Sequence, residues 1–356
     1  MFDRIALLLY IHDAELAALF HHEPIFRHNT TSLPVISSAE LFSAPSAAAW
    51  AARFREEEQN GMLTGPVRPG SSNSRQSPSR KRYPMLLRYA SLSGIGASIA
   101  ECRCLTHLTF EMITKLESEL VSWHWTFPEY SETRAENAAR TTANESPYSL
   151  LPLWHYSFMT LMTDLDVLEL AIGKDGPDVS SSVRQYVSSW ISSPDSKRCL
   201  LHALLLQDFM VNTSMGSVMA IHTPRVLFAA AVCWACYMLY HQPTTVNSTS
   251  LSATFTVDGG GQADDVFESL EHLPEIRAMD SSARWSSSAT PSGWTGKQAS
   301  AALKSILTAN TAEMKAATLC VLETLLRRLG TSGISRRFAD IIQILIAGDS
   351  INDWVA

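Results

Sequence analysis

Three acidic side chains near the middle of the chain are the first candidates for chemistry. Asp164, Asp166 and Glu169 lie in an apolar segment, and paired carboxylates can hold magnesium or perform acid–base catalysis. On one continuous helix, Asp164 and Asp166 would point about 200° apart and would not converge on one ion. A solvated or salt-bridged helix side is therefore the favoured interpretation. An all-α enzyme of a secondary-metabolite pathway that uses Asp164 and Asp166 is the alternative.

A group of histidines and acids near the start is the densest set of potential metal ligands. Its members are His12, Asp13, His21, His22, Glu23 and His28. Helical zinc proteases place histidines four residues apart, with a glutamate beside the first. His21 and His22 are adjacent, so on a helix they would point about 100° apart. We interpret the group as polar residues at a helix end rather than as a metal site.

The six cysteines include one Cys-x-x-Cys pair, Cys233 and Cys236. A zinc finger needs a second ligand pair at a defined spacing, and none follows. The two thiols would share one apolar helix face, which favours core packing. Cys102 and Cys104, near His107, are likewise interpreted as helix residues. We expect no catalytic residue, no cofactor and no bound metal.

Composition limits the class of protein. The chain has 356 residues, of which 46% are hydrophobic and 18% charged, and its net charge is −7. These values are typical of a protein with a sizeable buried core and argue against a wholly disordered chain. Nucleic-acid-binding domains usually carry a basic balance or a basic face. We therefore expect no direct DNA contact and no membrane partner, with the apolar run 226–240 as a core helix too short to span a bilayer.

Apolar residues recur with helical spacing along most of the chain, which predicts an all-α fold, a bundle-like multi-helix domain. The clearest stripe comprises Trp154, Phe158, Leu161, Leu165, Leu168 and Ile172. Another, near the start, comprises Ile5, Leu8, Leu9, Leu16, Leu19 and Phe20. Two more are Met314, Thr318, Val321, Leu322, Leu325, Leu329 and Ile334, Phe338, Ile341, Ile342, Leu345, Ile346. Gly173 should end the helix of the first stripe, as a C-terminal cap.

Two segments lack this pattern and are interpreted as disordered insertions in a single domain that spans residues 1–356. Residues 66–82 are rich in Pro, Ser, Gly and Arg, and their basic end, Arg80-Lys81-Arg82, is a candidate nuclear-import signal. Residues 242–300 form a low-complexity insertion with one candidate helix near residues 264–273. Neither composition offers enough apolar surface to offset the entropy of ordering.

The segment 150–177 carries a resemblance to a known family. It contains Trp154-His155 on an apolar helix, Asp164-Leu165-Asp166, and the exit Gly173-Lys174-Asp175-Gly176. Three other stretches fit in order, namely 10–28, 38–54 and 220–237, the last with Ile221-His222-Thr223-Pro224-Arg225. Together they resemble the middle homology region of fungal-specific transcription factors, most closely regulators with zinc fingers of the two-Cys, two-His type.

The resemblance implies a nuclear, all-helical regulatory domain that acts on transcription by RNA polymerase II, with a metabolic gene cluster as one candidate target. Its expected partners are proteins of the transcription machinery or a second copy of the chain. The family offers no catalytic residues to carry over. The sequence contains no zinc-finger ligand set, so the chain would lack its DNA-binding region or would work without its own DNA contact. An inert or dominant-negative fragment is the third interpretation.

Overall fold

The computed structural model describes residues 2–28, 33–34, 36–59, 85–105, 108–125, 150–212, 220–241, 261–284, 294–308, 312–329 and 333–347. Within these ranges every regular element is an α-helix, which confirms the all-α prediction. The contacts divide the chain into two compact units, residues 1–157 and 158–356. The basic segment 66–82 lies outside the described residues, and the prediction of one domain over 1–356 stays a prediction.

The first unit contains five helices and the start of a sixth among its described residues. These are α1 (Phe2–Phe20), α2 (Ala39–Phe42), α3 (Ala47–Gln59), α4 (Met85–Leu105), α5 (Phe110–Trp125) and α6 (Leu150–Met162), and the boundary between the units falls within α6. Helix α1 packs along α4, and its inner face joins a core cluster with Leu33, Ile36 and Leu87. Helix α5 is tied to α4 where the Trp123 Nε1 donates to the Arg88 carbonyl oxygen at 3.1 Å.

The stripe predicted on α1 does not face this core. Leu7 and Ile11 are buried instead, whereas Leu8 is 55% exposed and Phe20 is 64% exposed. The reason is that α1 carries apolar residues on both sides. Periodicity alone cannot decide which of two apolar sides meets the core, and the side that packs on α4 is the one with the small residues Ala14 and Ala17.

The helices of the second unit pack around one central helix. Its remaining helices are α7 (Leu165–Ala171), α8 (Ser181–Ser192), α9 (Pro194–Asn212), α10 (Thr223–Tyr240), α11 (Gly261–Glu271), α12 (Pro274–Arg284), α13 (Gly296–Thr308), α14 (Ala312–Arg328) and α15 (Gly333–Ala347). Helix α10 contacts α7, α8, α9, α14 and α15. Every residue from Thr223 to Tyr237 is buried, as expected for a helix that is apolar all round.

Helix α10 is also the one helix in the described part of the chain that is long and apolar enough to cross a membrane, and 83% of it is buried inside the protein. This burial fits the prediction of a core helix. Its aromatic contact with α15 is close, because the rings of Phe228 and Phe338 stack with their centroids 4.1 Å apart. The predicted stripe on α14 packs inward through Thr318, Leu322 and Leu325.

The structure differs from the sequence prediction in the segment 242–300. Residues 261–284 form α11 and α12, and α13 begins at Gly296, so an irregular insertion is wrong for these residues. The candidate helix near 264–273 corresponds to α11. Leu270 and Ile276 are buried against neighbouring helices, and contacts of α11 and α12 with α13 hold the segment in place. A few well-spaced apolar residues suffice here because partner helices supply the rest of the core.

Candidate functional site

Trp154 and His155, the Trp-His pair of the family resemblance, lie in the first unit. The Trp154 side chain is completely buried, and its Nε1 donates to the Leu120 carbonyl oxygen at 2.9 Å. The rings of Trp154 and His124 lie 4.7 Å apart. Burial lowers the pKa of His124 to about 4, which keeps this imidazole neutral near pH 7. His155 is buried as well, so the pair joins α6 to α5 and is closed to solvent.

The helix predicted to run from Trp154 to Ile172 is interrupted at Asp164. Helix α6 ends at Met162, and Asp164 is the N-cap of α7, where its carboxylate accepts from the Val167 N–H at 3.4 Å. The backbone N–H of Asp164 donates to the Tyr186 hydroxyl at 2.8 Å. A capping carboxylate satisfies backbone donors at a helix start. The prediction that Asp164 and Asp166 lie on the helix of the Trp154 stripe is therefore wrong, and Asp164 has a structural task.

The remaining acids of the motif pair with its lysine. The Lys174 Nζ lies 2.7 Å from an Asp166 oxygen and 3.1 Å from a Glu169 oxygen. Burial alone would lower the pKa of Lys174, but the hydrogen bond to Asp166 and the charge of Glu169 outweigh it and raise that pKa. The expected salt-bridged helix side is thus present.

The Gly-Lys-Asp-Gly exit turns the chain after α7, as the sequence predicted for Gly173. Gly173 has φ of 98° and Gly176 has φ of 113°, both in the region that glycine tolerates without strain. The Lys174 N–H donates to the Glu169 carbonyl oxygen at 3.0 Å, which closes the helix end. Asp175 is exposed at the tip of this turn.

The Ile-His-x-Pro-Arg stretch begins α10. His222 occupies the N-cap position and Pro224 lies in the first helical turn, where a missing backbone N–H costs nothing. His222 is completely buried and Arg225 is nearly so. The Val226 N–H donates to the His222 carbonyl oxygen at 3.0 Å, as the first bond of the helix. These motif residues position the central helix of the second unit.

The Cys-x-x-Cys pair faces into the core, as predicted. Cys233 and Cys236 are completely buried. The Cys233 sulfur lies 3.4 Å from that of Cys199 on α9, and the Cys236 thiol donates to the Leu168 carbonyl oxygen at 3.2 Å. Burial raises the pKa of Cys236 well above its ordinary value. Such a thiol is a small packing group rather than a nucleophile.

Part of the histidine group forms a local bridge in the first unit. A His28 ring nitrogen lies 3.0 Å from an Asp13 carboxylate oxygen, and both side chains are buried. The Asp13 carboxylate also accepts from the backbone N–H groups of Ile25 and Phe26. Burial would raise the pKa of Asp13, but the bonds from Phe26 and His28 lower it. Asp13 thereby fixes the chain that follows α1.

Sequence reasoning missed one buried ionic cluster in the second unit, comprising Arg198, His202 and Glu275. The Arg198 Nε donates to a Glu275 oxygen at 2.7 Å, and the His202 Nε2 lies 3.5 Å from the same oxygen. The His202 ring stacks on Phe158 at 4.7 Å, and the Arg198 guanidinium lies over that same ring. Arg198 and His202 are one turn apart on α9, which is a visible signal. Glu275 lies in the segment 242–300, which the sequence predicts to be an irregular insertion, so its pairing with Arg198 could not be predicted.

This buried ionic cluster connects α12 to α9 through charge. Burial would raise the pKa of Glu275, but the hydrogen bond from His202 and the charge of Arg198 lower it, so the carboxylate is ionised near pH 7. Among the described residues, the second Glu275 oxygen has no hydrogen-bond partner. Removing one member of such a buried pair leaves an uncompensated charge. The cluster is therefore a specific connection that determines where α12 packs.

No family model matches the chain, and neither a curated protein nor a solved structure is significantly similar to it.

Proposed function

We propose that this chain is the helical regulatory module of a fungal-type transcription factor that controls transcription by RNA polymerase II in the nucleus. It acts through contacts with proteins or a small effector, without DNA contact of its own. The proposal rests on the sequence resemblance and on one observation that supports it. Two of the resembling segments, 150–177 and 220–237, are separated by 42 residues of sequence, and their helices α7 and α10 pack on each other in the second unit.

The contacts between these two segments are specific. The Cys236 thiol of α10 donates to the Leu168 carbonyl oxygen of α7 at 3.2 Å. Three residues beyond the second segment, the Tyr240 hydroxyl of α10 donates to the Ala171 carbonyl oxygen at 2.8 Å. The Leu168 oxygen also accepts the backbone N–H of Ile172 at 3.2 Å, whereas the Ala171 oxygen is one of the last carbonyl groups of α7, which have no donor within a helix. Two segments that carry the resemblance thus belong to one packed core, and this supports the proposal.

The enzyme alternative has less support. Asp164 caps a helix, and Asp166 and Glu169 bind Lys174, so these carboxylates already have structural partners. The net charge of −7 also favours protein partners over direct binding to nucleic acid. The regulatory role is therefore the better-supported proposal.

A reporter experiment tests the role. The full chain is fused to a heterologous DNA-binding domain, and transcription from a promoter with matching sites is compared with that from the DNA-binding domain alone. We expect a clear increase or decrease, lost in Leu168→Asp, which disrupts the packing of α7 on α10, and kept in the exposed control Phe110→Glu. No change in transcription at equal amounts of soluble fusion protein would contradict the proposal.

Two simpler measurements address location and DNA binding. A fluorescent fusion should accumulate in fungal nuclei, and replacing Arg80, Lys81 and Arg82 with alanine should reduce that accumulation if the basic segment is the import signal. The isolated chain should give no discrete, competitor-resistant complex with duplex DNA at physiological salt. A cytoplasmic wild-type fusion, or a sequence-specific complex, would count against the proposed role.

A further inference from the structure

Among the described residues, the outward face of α1 forms an exposed to half-buried apolar stripe, which we call the α1 stripe: Ile5, Leu8, Leu9, His12, Leu16, Leu19 and Phe20. On a helix with 100° per residue, these seven positions span an arc of about 120°. Among them, Ile5 is 46% exposed, Leu8 55% and Phe20 64%. No lysine, arginine, aspartate or glutamate interrupts the stripe. Contiguous exposed apolar surface of this kind marks an interaction site.

The α1 stripe cannot turn into the core of its own unit, because the opposite side of α1 is already fixed. Leu7, Ile11 and Ala17 are buried against α4 and the segment before α2. The Arg4 guanidinium donates to the carbonyl oxygens of Ser37 and Ser38 at 2.7 Å and 2.6 Å. It also lies over the Phe42 ring at 4.4 Å. These contacts set the rotation of the helix and hold the stripe outward.

We propose that the α1 stripe is the interface through which two copies of this chain form a symmetric dimer. The apolar area is sufficient. Together with Ile25 (83% exposed) and Phe26 (48% exposed) in the segment that follows α1, the stripe exposes roughly 700 Å² of surface per copy, and full burial in a pair would remove about 1,400 Å², within the range of specific interfaces. A surface without charge is complementary to itself. A two-fold interface requires such self-complementarity, because it uses the same patch on both subunits.

The two α1 helices run antiparallel in this dimer. Parallel helices would place like dipole ends together, whereas antiparallel helices oppose them. The 19-residue helix is about 28 Å long, and the midpoint of the α1 stripe, between Ile5 and Phe20, lies next to His12. Antiparallel pairing about that midpoint places Ile5 beside Phe20 of the second copy and Leu9 beside its Leu16. This dimer is independent of the proposed transcriptional role, since it follows from the exposed face alone.

Sedimentation equilibrium of the full chain tests the dimer. We expect the wild type to dimerise with a dissociation constant on the order of 10 µM. Leu8→Glu should raise the dissociation constant by about tenfold or more, because it buries a charge in the interface. The matched control is Phe110→Glu, which changes an 86% exposed apolar residue of the same unit and should leave the constant unchanged. Circular dichroism confirms that both variants keep the helical fold.

A mixing experiment tests the orientation and keeps the proposal falsifiable if Leu8→Glu disturbs folding. Ile5→Lys and Phe20→Glu should each dimerise poorly alone, since each sets a charge against an apolar side chain. Mixed together, they should form a heterodimer that is tighter than either variant's own dimer, because the new lysine meets the new glutamate and the second Ile5–Phe20 contact stays intact. A monomeric wild type, a Leu8→Glu chain that dimerises normally, or a mixture no tighter than its components would overturn the proposal.

Discussion

Helices α10 and α1 are both strongly apolar, yet they occupy opposite situations in their respective units. Helix α10 is covered by five other helices and buries every residue from Thr223 to Tyr237. Helix α1 is covered on one side, by α4 and the segment before α2, and exposes Leu8 and Leu9 on the other. Apolar composition therefore does not determine burial. The number of neighbouring elements decides whether an apolar helix is buried all round or keeps an exposed apolar face.

The largest expected effect on stability is in α10, the helix that is buried on all sides. Trp234 on α10 is completely buried, and Trp234→Ala should lower the free energy of unfolding by about 3–5 kcal/mol through lost burial and a cavity. Urea denaturation followed by circular dichroism measures the change. A loss as small as that of an exposed substitution would mean that α10 is not the packed centre of the second unit.

The buried ionic cluster should give the next effect. Glu275→Leu leaves Arg198 and His202 without their carboxylate, and should cost about 3–4 kcal/mol. The control Glu275→Gln keeps a hydrogen-bond acceptor and should cost less. Because the folded-state pKa of Glu275 is lowered, its contribution is present above the unfolded-state pKa of about 4.3 and is lost as the pH falls further. If wild type and Glu275→Gln lose stability equally below that pH, the cluster has no such role.

The first unit should respond to acid in a different range. His124 is neutral in the fold, with a pKa of about 4, but takes up a proton near pH 6.5 once unfolded. Because the unfolded state binds more protons between these values, stability should fall as the pH drops from about 6.5 to 4, by about 3 kcal/mol in all. His124→Leu should flatten this slope in denaturation curves collected across that range. An unchanged slope would contradict the burial of a neutral imidazole.

The smallest effect on stability is expected at the α1 stripe, on the exposed face of α1. Leu8 is more than half exposed, so Leu8→Ala should change the stability of the monomer by no more than about 0.5 kcal/mol. The measurement is made at low protein concentration, where any dimer dissociates. A loss comparable to that of Trp234→Ala would show that the α1 stripe is covered within the monomer.

The same comparison explains what could be predicted from the sequence. Helical periodicity identified the stripe of Trp154, Phe158 and Leu161 and the burial of Cys233 and Trp234, and all of these residues are buried. These predictions succeeded because each stripe has a single apolar face or is apolar throughout. The cap at Gly173 could also be predicted, since few residues other than glycine adopt a positive φ there.

The failures share a different cause, which is dependence on distant partners. The break at Asp164 involves the Tyr186 hydroxyl, 22 residues away, and the position of α12 depends on Arg198, 77 residues from Glu275. No local pattern contains such partners. The orientation of α1 failed for a related reason, since only α4 reveals which of its two apolar sides is inside. The transcriptional role and nuclear location remain proposals that rest on resemblance.

Hydrogen–deuterium exchange of the full chain at low and high concentration tests the contrast between α1 and α10 most directly. Peptides from α10 should be strongly protected at both concentrations, because their protection comes from the core of the unit itself. Peptides from α1 should exchange faster at low concentration and become protected at high concentration, when the second copy covers the α1 stripe. Equal, concentration-independent protection of both helices would contradict the account of α1 as an open interaction surface.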